Sequence, residues 1–189
     1  MKKILLLVFI FFCVGNLANS MTRVAIIYSV GGLGDGGYND LAHDGLNKAK
    51  KNLGIDFDYY EPVSPALEAE KQLIFYSESK NYDLIMVVGF SLKNSLEKVA
   101  GKYPNQKYAI IDEIVYDTSN ITSITFNEKE ESFLAGAVAA LMTETDKVGF
   151  IGGVEFPLII KYESGFEQGV KYVKPDAEVL ISYIEGYNA

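Results

Sequence analysis

Cysteine, histidine and tryptophan are close to missing: 189 residues carry one cysteine, Cys13, one histidine, His43, and no tryptophan. A lone cysteine excludes an intrachain disulfide, and Cys13 lies in an N-terminal apolar run that export would remove, so the mature chain has no thiol for a metal site or a nucleophile. His43 is expected on the solvent face of the first helix. That leaves histidine metal sites and a Ser-His-Asp triad without a base, and no metal site is expected. Neither a G-x-S-x-G elbow nor a Walker loop is present. Basic clusters are also lacking: 17 Lys and Arg are scattered among 25 Asp and Glu, for a net charge of −8. This argues against a nucleic-acid partner and reads as solubility.

What is present suits a packed core, with 49% hydrophobic and 22% charged residues. The first three residues are Met-Lys-Lys, residues 4–14 form an apolar run, and Ala18 and Ser20 put small side chains where a signal peptidase reads. Residues 1–20 therefore read as a secretory signal peptide, the run being short for a transmembrane span. Lipidation at Cys13 is the alternative, although Phe11 and Phe12 stand where that cleavage site takes small residues. The expected location is periplasmic, or anchored to the membrane surface if Cys13 carries lipid.

Strand-like and helix-like segments then alternate. Strands are expected at 23–28, 55–60, 84–88, 108–111 and 121–126. Ala42, Leu46, Ala49 and Leu53 recur at helical spacing in a helix from about residue 41 that Gly54 ends. Further helices are expected at 66–79 and around Leu92, Leu96, Val99 and Tyr103. From Glu128, Phe133, Leu134, Ala137, Val138 and Leu141 make a helix apolar over most of its circumference, which predicts a buried helix. A strand at 148–151, a Gly152-Gly153 turn, a helix at 159–173 and a strand at 179–184 follow. The class is α/β, with parallel sheets and right-handed crossovers. A sheet begun near residue 148 would have only two strands, fewer than independent stability usually needs.

Residues 31–39, GGLGDGGYN, join the first strand to the first helix. Glycines admit close backbone approach and first-turn N–H groups lack helical partners, so this loop reads as a ligand cradle. It also matches G-x-G-x-x-G, but Asp35 would set a negative charge beside a pyrophosphate, so a Rossmann-type oxidoreductase is the weaker reading. No cofactor is expected. Ligands of open parallel sheets bind beyond the carboxyl ends of the strands. Ser29 and Asp35, Gly89 and Phe90, Asp112, Phe126 and Asn127, and Tyr187 fall there. The polar members can read a polar ligand and the aromatic ones can stack on a flat one. Each also has an ordinary use: Asp112 and Asn39 as turn or N-cap residues, Tyr38 as a helix-entry staple, Phe90 as core.

Taken together, GGLGDGGYND (31–40), YAIID (108–112), EESFLAG (130–136), GGVEFP (152–157) and SGFEQG (164–169) resemble the basic membrane protein family of bacterial ABC-transporter substrate-binding lipoproteins, which includes purine nucleoside receptors. The resemblance implies a periplasmic-binding-protein type I fold of two lobes closing on a ligand, no enzymatic activity, and a membrane permease as partner. It further implies a base held between two aromatic rings, matched by Tyr38 and Tyr187, with Asn39 and Asp112 at base-contacting positions. Ser29 departs from the family's Asp, which bears on base selectivity. Family members continue through most of a second lobe, so the resemblance implies a complete N-terminal α/β lobe at residues 21–126 and a partial, truncated second lobe at residues 127–189. Readings outside nucleoside transport are a sugar or autoinducer receptor and a surface antigen or adhesin.

Overall fold

The computed structural model describes residues 21–184. Five strands, β1 (Arg23–Ile27), β2 (Asp56–Tyr60), β3 (Leu84–Val88), β4 (Tyr108–Ile111) and β5 (Ile121–Ile124), form one sheet in the order β2-β1-β3-β4-β5, every neighbour parallel. The connecting helices are α1 (Tyr38–Leu53), α2 (Pro65–Ser79) and, after a 3-10 turn at Phe90–Leu92, α3 (Lys93–Lys102). β1 shows why the sheet is covered on both faces. Ala25 and Ile27 point into a core with Leu73 of α2 and Leu96 of α3, while Val24, Ile26 and Tyr28 pack with Leu46 of α1. A strand buried on both faces must be apolar at every position, and Val24, Ala25, Ile26 and Ile27 are.

A second, two-stranded parallel sheet pairs β6 (Lys147–Gly152) with β7 (Glu178–Tyr183), flanked by α4 (Glu128–Met142) and α5 (Pro157–Val173). Here the expectation of a wholly buried helix is corrected. In α4 the buried residues are Glu128, Ser132, Gly136 and Ala140, whereas Leu134, Val138, Leu141 and Met142 are exposed. The seam with α5 is built from small residues four apart, so two backbones nearly touch. A Cβ on Gly136 would lie 2.0 Å from the Phe166 carbonyl oxygen, and one on Gly169 2.0 Å from that of Phe133. Ser132 Oγ donates to the Tyr162 carbonyl across the same seam. Hydrophobic periodicity weights large side chains, and the packed face here is selected by the absence of them.

Other boundaries shift by a few residues. α1 begins at Tyr38, three residues before the expected start, α5 begins at Pro157, and β5 ends at Ile124. His43 does not face open solvent: its Nδ1 is 2.7 Å from the Tyr28 hydroxyl, and its ring stands edge-on to Phe57 and Tyr59. These contacts tie α1 to β2 and to Tyr28, the residue that follows β1.

Candidate cleft at the strand ends

The order β2-β1-β3-β4-β5 places the reversal of winding between β1 and β3, where open α/β sheets form a crevice. Ser29 leaves β1 on one side of it and Gly89 leaves β3 on the other. Gly89 has φ +87°, its N–H donates to the Ile111 carbonyl at 2.9 Å, and a Cβ there would sit 3.2 Å from Ser29 Cβ. Any other residue at Gly89 would be strained and crowded against Ser29. Asn39, in the first turn of α1, is fully buried and ties helix to strand: its Oδ1 accepts from the Ser29 N–H at 3.0 Å, and its Nδ2 donates to the Val30 carbonyl at 3.4 Å.

The glycine loop is not an open cradle, and that expectation is corrected. Asp35 accepts from the N–H groups of Gly37 (2.8 Å), Asn39 (3.1 Å) and Asp40 (3.2 Å). Asp40 accepts from Gly34 and Gly36, and Glu61 from Leu33. The donors that would meet a phosphate already meet three carboxylates, so a dinucleotide has no seat here. Against the desolvation that would raise it, the backbone bonds from Gly37, Asn39 and Asp40 hold the Asp35 carboxyl below its ordinary value. The resulting stabilisation is present above the ordinary carboxylate pKa and is lost as pH falls through the lowered one. Asp35→Ala, which uncaps α1, is expected to cost about 1–2 kcal/mol in urea denaturation at pH 7. An unchanged midpoint would mean that water replaces the cap.

Asp112, one residue past β4, differs from the other carboxylates among the described residues. It is 6% exposed, holds φ +69°, and its Oδ1 is buried with no hydrogen-bond partner among the described residues. Burial raises its carboxyl from the ordinary 3.8 to about 6, with Glu128 and Glu113 adding to the rise and Lys161 opposing it. Asp112 forms part of the wall of a cleft of about 280 Å³ whose opposite wall is the start of α5, through Phe156, Pro157 and Lys161. Two ion pairs stand in its lining, Lys93 with Glu113 at 3.2 Å and Lys161 with Glu128 at 3.5 Å.

Aromatic groups bridge the same gap. Phe90 stacks on Phe156 with centroids 4.4 Å apart and planes 18° apart. The Tyr38 and Tyr162 hydroxyls are 2.8 Å apart, and burial raises the pKa of both phenols. Tyr38 also lines an apolar hollow of about 350 Å³ with Leu41, Ile111, Phe126 and Glu131.

The structure therefore brings Ser29, Asn39 and Gly89 together at one crevice, with Asp112, Phe90 and Tyr38 facing the second sheet's helices. It assigns Asp35 to the loop itself. Tyr187 and Cys13 lie outside the described residues, as does the expected signal peptide. Sequence reasoning passed over Glu128, Phe156, Lys161 and Tyr162. Phe156 sits inside the GGVEFP segment and could have been singled out as an aromatic at a helix entry. Glu128 was marked only as the point where the helix pattern begins, with no role at the cleft.

A family model described as "ABC transporter substrate-binding protein PnrA-like" matches residues 21–188. The "CD4+ T-cell-stimulating antigen" of Listeria monocytogenes is 36% identical over 167 residues, covering 87% of this chain and 47% of that protein. The "ABC transporter nucleoside-binding protein BmpA" of Lactococcus lactis is 33% identical over 174 residues, covering 88% and 48%. Among solved structures, an ABC transporter solute-binding protein from Aeropyrum pernix K1 superposes with a TM-score of 0.79 at 35% identity, covering 86% of this chain and 47% of that one. The chain spans about half the length of these relatives.

Proposed function

Since the chain belongs to the Bmp family of PnrA-like ABC-transporter substrate-binding proteins, we propose that it captures a purine nucleoside in the cleft between a lobe at residues 21–126 and a second one at 127–189 and hands it to a membrane permease. The fold is the α/β type I periplasmic-binding-protein fold, and family and fold are those of solute receptors rather than enzymes. Export and a lipid anchor at Cys13 accord with relatives named as lipoproteins.

One observation carries the ligand reading: the buried, unpartnered Oδ1 of Asp112. A buried acceptor left empty costs about 1–3 kcal/mol, and a ligand N–H or O–H that meets it removes that cost. Phe156 shares the cleft wall with Asp112, and the aromatic groups at the same gap, Tyr38 and the Phe90–Phe156 pair, are of the kind that stacks on a planar base. Ser29 Oγ, able to donate or accept, does not by itself separate a 6-oxo from a 6-amino purine. A relative named as nucleoside-binding, at 33% identity, points the same way.

Titration of tyrosine fluorescence with inosine, guanosine, adenosine, ribose and NAD separates the readings. A saturable change with the purine nucleosides, adenosine included, and none with ribose or NAD is the expected result. A response to ribose alone would make this a sugar receptor.

A further inference from the structure

The carboxylate left without a partner in the cleft has a consequence for how a ligand enters. Each cation in the wall already has a carboxylate. Lys93 of α3 pairs with Glu113 on Asp112's own loop, and Lys161 of α5 pairs with Glu128 of α4. Glu131 of α4 and the phenols of Tyr38 from α1 and Tyr162 from α5 complete the titratable groups whose charges act on Asp112 or are acted on by it. No lysine or arginine among the described residues forms an ion pair with Asp112, and no backbone or side-chain donor reaches its Oδ1. With no donor at Oδ1, the charged form is opposed by burial and by the neighbouring carboxylates of Glu128, Glu113 and Glu131, against which Lys161 acts alone.

We propose that loading of this cleft releases a proton, with Asp112 as the group that gives it up, an inference that rests on the reading of the cleft as a nucleoside site. The step balances simply. The O–H bond of the protonated fraction of Asp112 breaks, the proton passes to solvent buffer, and a ligand N–H or O–H donates to the carboxylate oxygen in its place. A neutral ligand that donates to a carboxylate stabilises the charged form, so binding and deprotonation favour each other. With the free carboxyl at about 6 and the bound one returned to the ordinary carboxylate range, affinity is full above pH 7 and declines as pH falls through 6. A receptor of this kind loads in neutral medium and lets go in acid. Nothing in the proton step depends on which purine enters, only on a donor meeting Oδ1.

Calorimetric titration of inosine into the protein at pH 6.0, in phosphate and in bis-Tris, reads the proton directly, because the two buffers take up protons with different heats. About half a proton released per inosine bound at pH 6.0, none at pH 8.0, and a roughly tenfold weaker affinity at pH 5 than at pH 7 are expected. Asp112→Asn is the matching variant. Asparagine tolerates the left-handed backbone at this position, and the variant is expected to bind more weakly with no proton exchange at any pH. Inosine binding with the same heat in both buffers and the same affinity from pH 5 to 8 would overturn the coupling and leave the nucleoside reading standing. Proton release that persists in Asp112→Asn would overturn Asp112 as the source. Absence of inosine, guanosine and adenosine binding throughout this pH range would overturn both.

Discussion

Replacing Gly169 by alanine is expected to separate α4 from α5 and to cost about 3 kcal/mol or more, although alanine is the better helix former by about 1 kcal/mol. Both effects arise from one methyl group, and distance decides between them. The added Cβ would stand 2.0 Å from the Phe133 carbonyl oxygen and 2.9 Å from the Ala137 nitrogen, atoms of a facing backbone that cannot rotate away. Gly136 repeats the arrangement from the other helix, with 2.0 Å to the Phe166 carbonyl oxygen. By contrast Gly45, in the interior of α1, has nothing within 4 Å of its would-be Cβ. Gly45→Ala should therefore stabilise by up to about 1 kcal/mol. Urea denaturation of the two variants side by side checks the sign as well as the size. Equal and small effects would mean that the helix seam yields.

The second large effect concerns Asp112. Its carboxyl is raised from 3.8 to about 6 by burial first and by Glu128 and Glu113 next. A carboxyl whose folded pKa is raised favours folding in its protonated form. Its full contribution is present below about pH 4 and is lost as pH climbs through 6. At pH 7.5 the difference amounts to about 3 kcal/mol, from roughly two pH units at 1.36 kcal/mol each, for a side chain only 6% exposed. Asp112→Asn removes the charge and keeps the shape. It is expected to stabilise the ligand-free protein by about 2–3 kcal/mol at pH 7.5 and by close to nothing at pH 4, while weakening purine nucleoside binding roughly ten- to a hundredfold. Denaturation at the two pH values reads the first part and ligand titration the second. A gain equal at both pH values would place its origin elsewhere than in the charge. Stabilisation at pH 7.5 together with weaker binding is what a residue kept for a ligand at the expense of stability would give.

How far this was legible in the sequence depends on which physical signal marks each residue. Strands buried on both faces are continuous apolar runs, so β3 at Leu84–Val88 and β4 at Tyr108–Ile111 stand where the hydrophobic pattern puts them. Knowing where parallel strands end locates Ser29, Gly89 and Asp112, because ligands sit beyond those ends. The glycine loop misled for a local reason. Its composition is that of an anion cradle, but the acceptors for its N–H groups are Asp35 and Asp40 within and just past the loop, and Glu61 from the end of β2. The far wall of the cleft was harder. Phe156, Lys161 and Tyr162 come some forty residues or more after Asp112, and no periodicity says which side of α5 faces a different sheet. α4 shows the limit of counting large apolar side chains: a helix that packs by its smallest residues leaves Leu134 and Val138 outside.

The most direct test is differential scanning calorimetry of the protein at pH 7.5 with and without millimolar inosine, and with ribose as control. A ligand that binds only the folded state raises its stability by mass action, by about 2.7 kcal/mol at a hundred times the dissociation constant. A purine nucleoside receptor using this cleft gives a melting temperature several degrees higher with inosine and unmoved by ribose. A cooperative melt that neither inosine, guanosine nor adenosine shifts would contradict nucleoside capture by this chain.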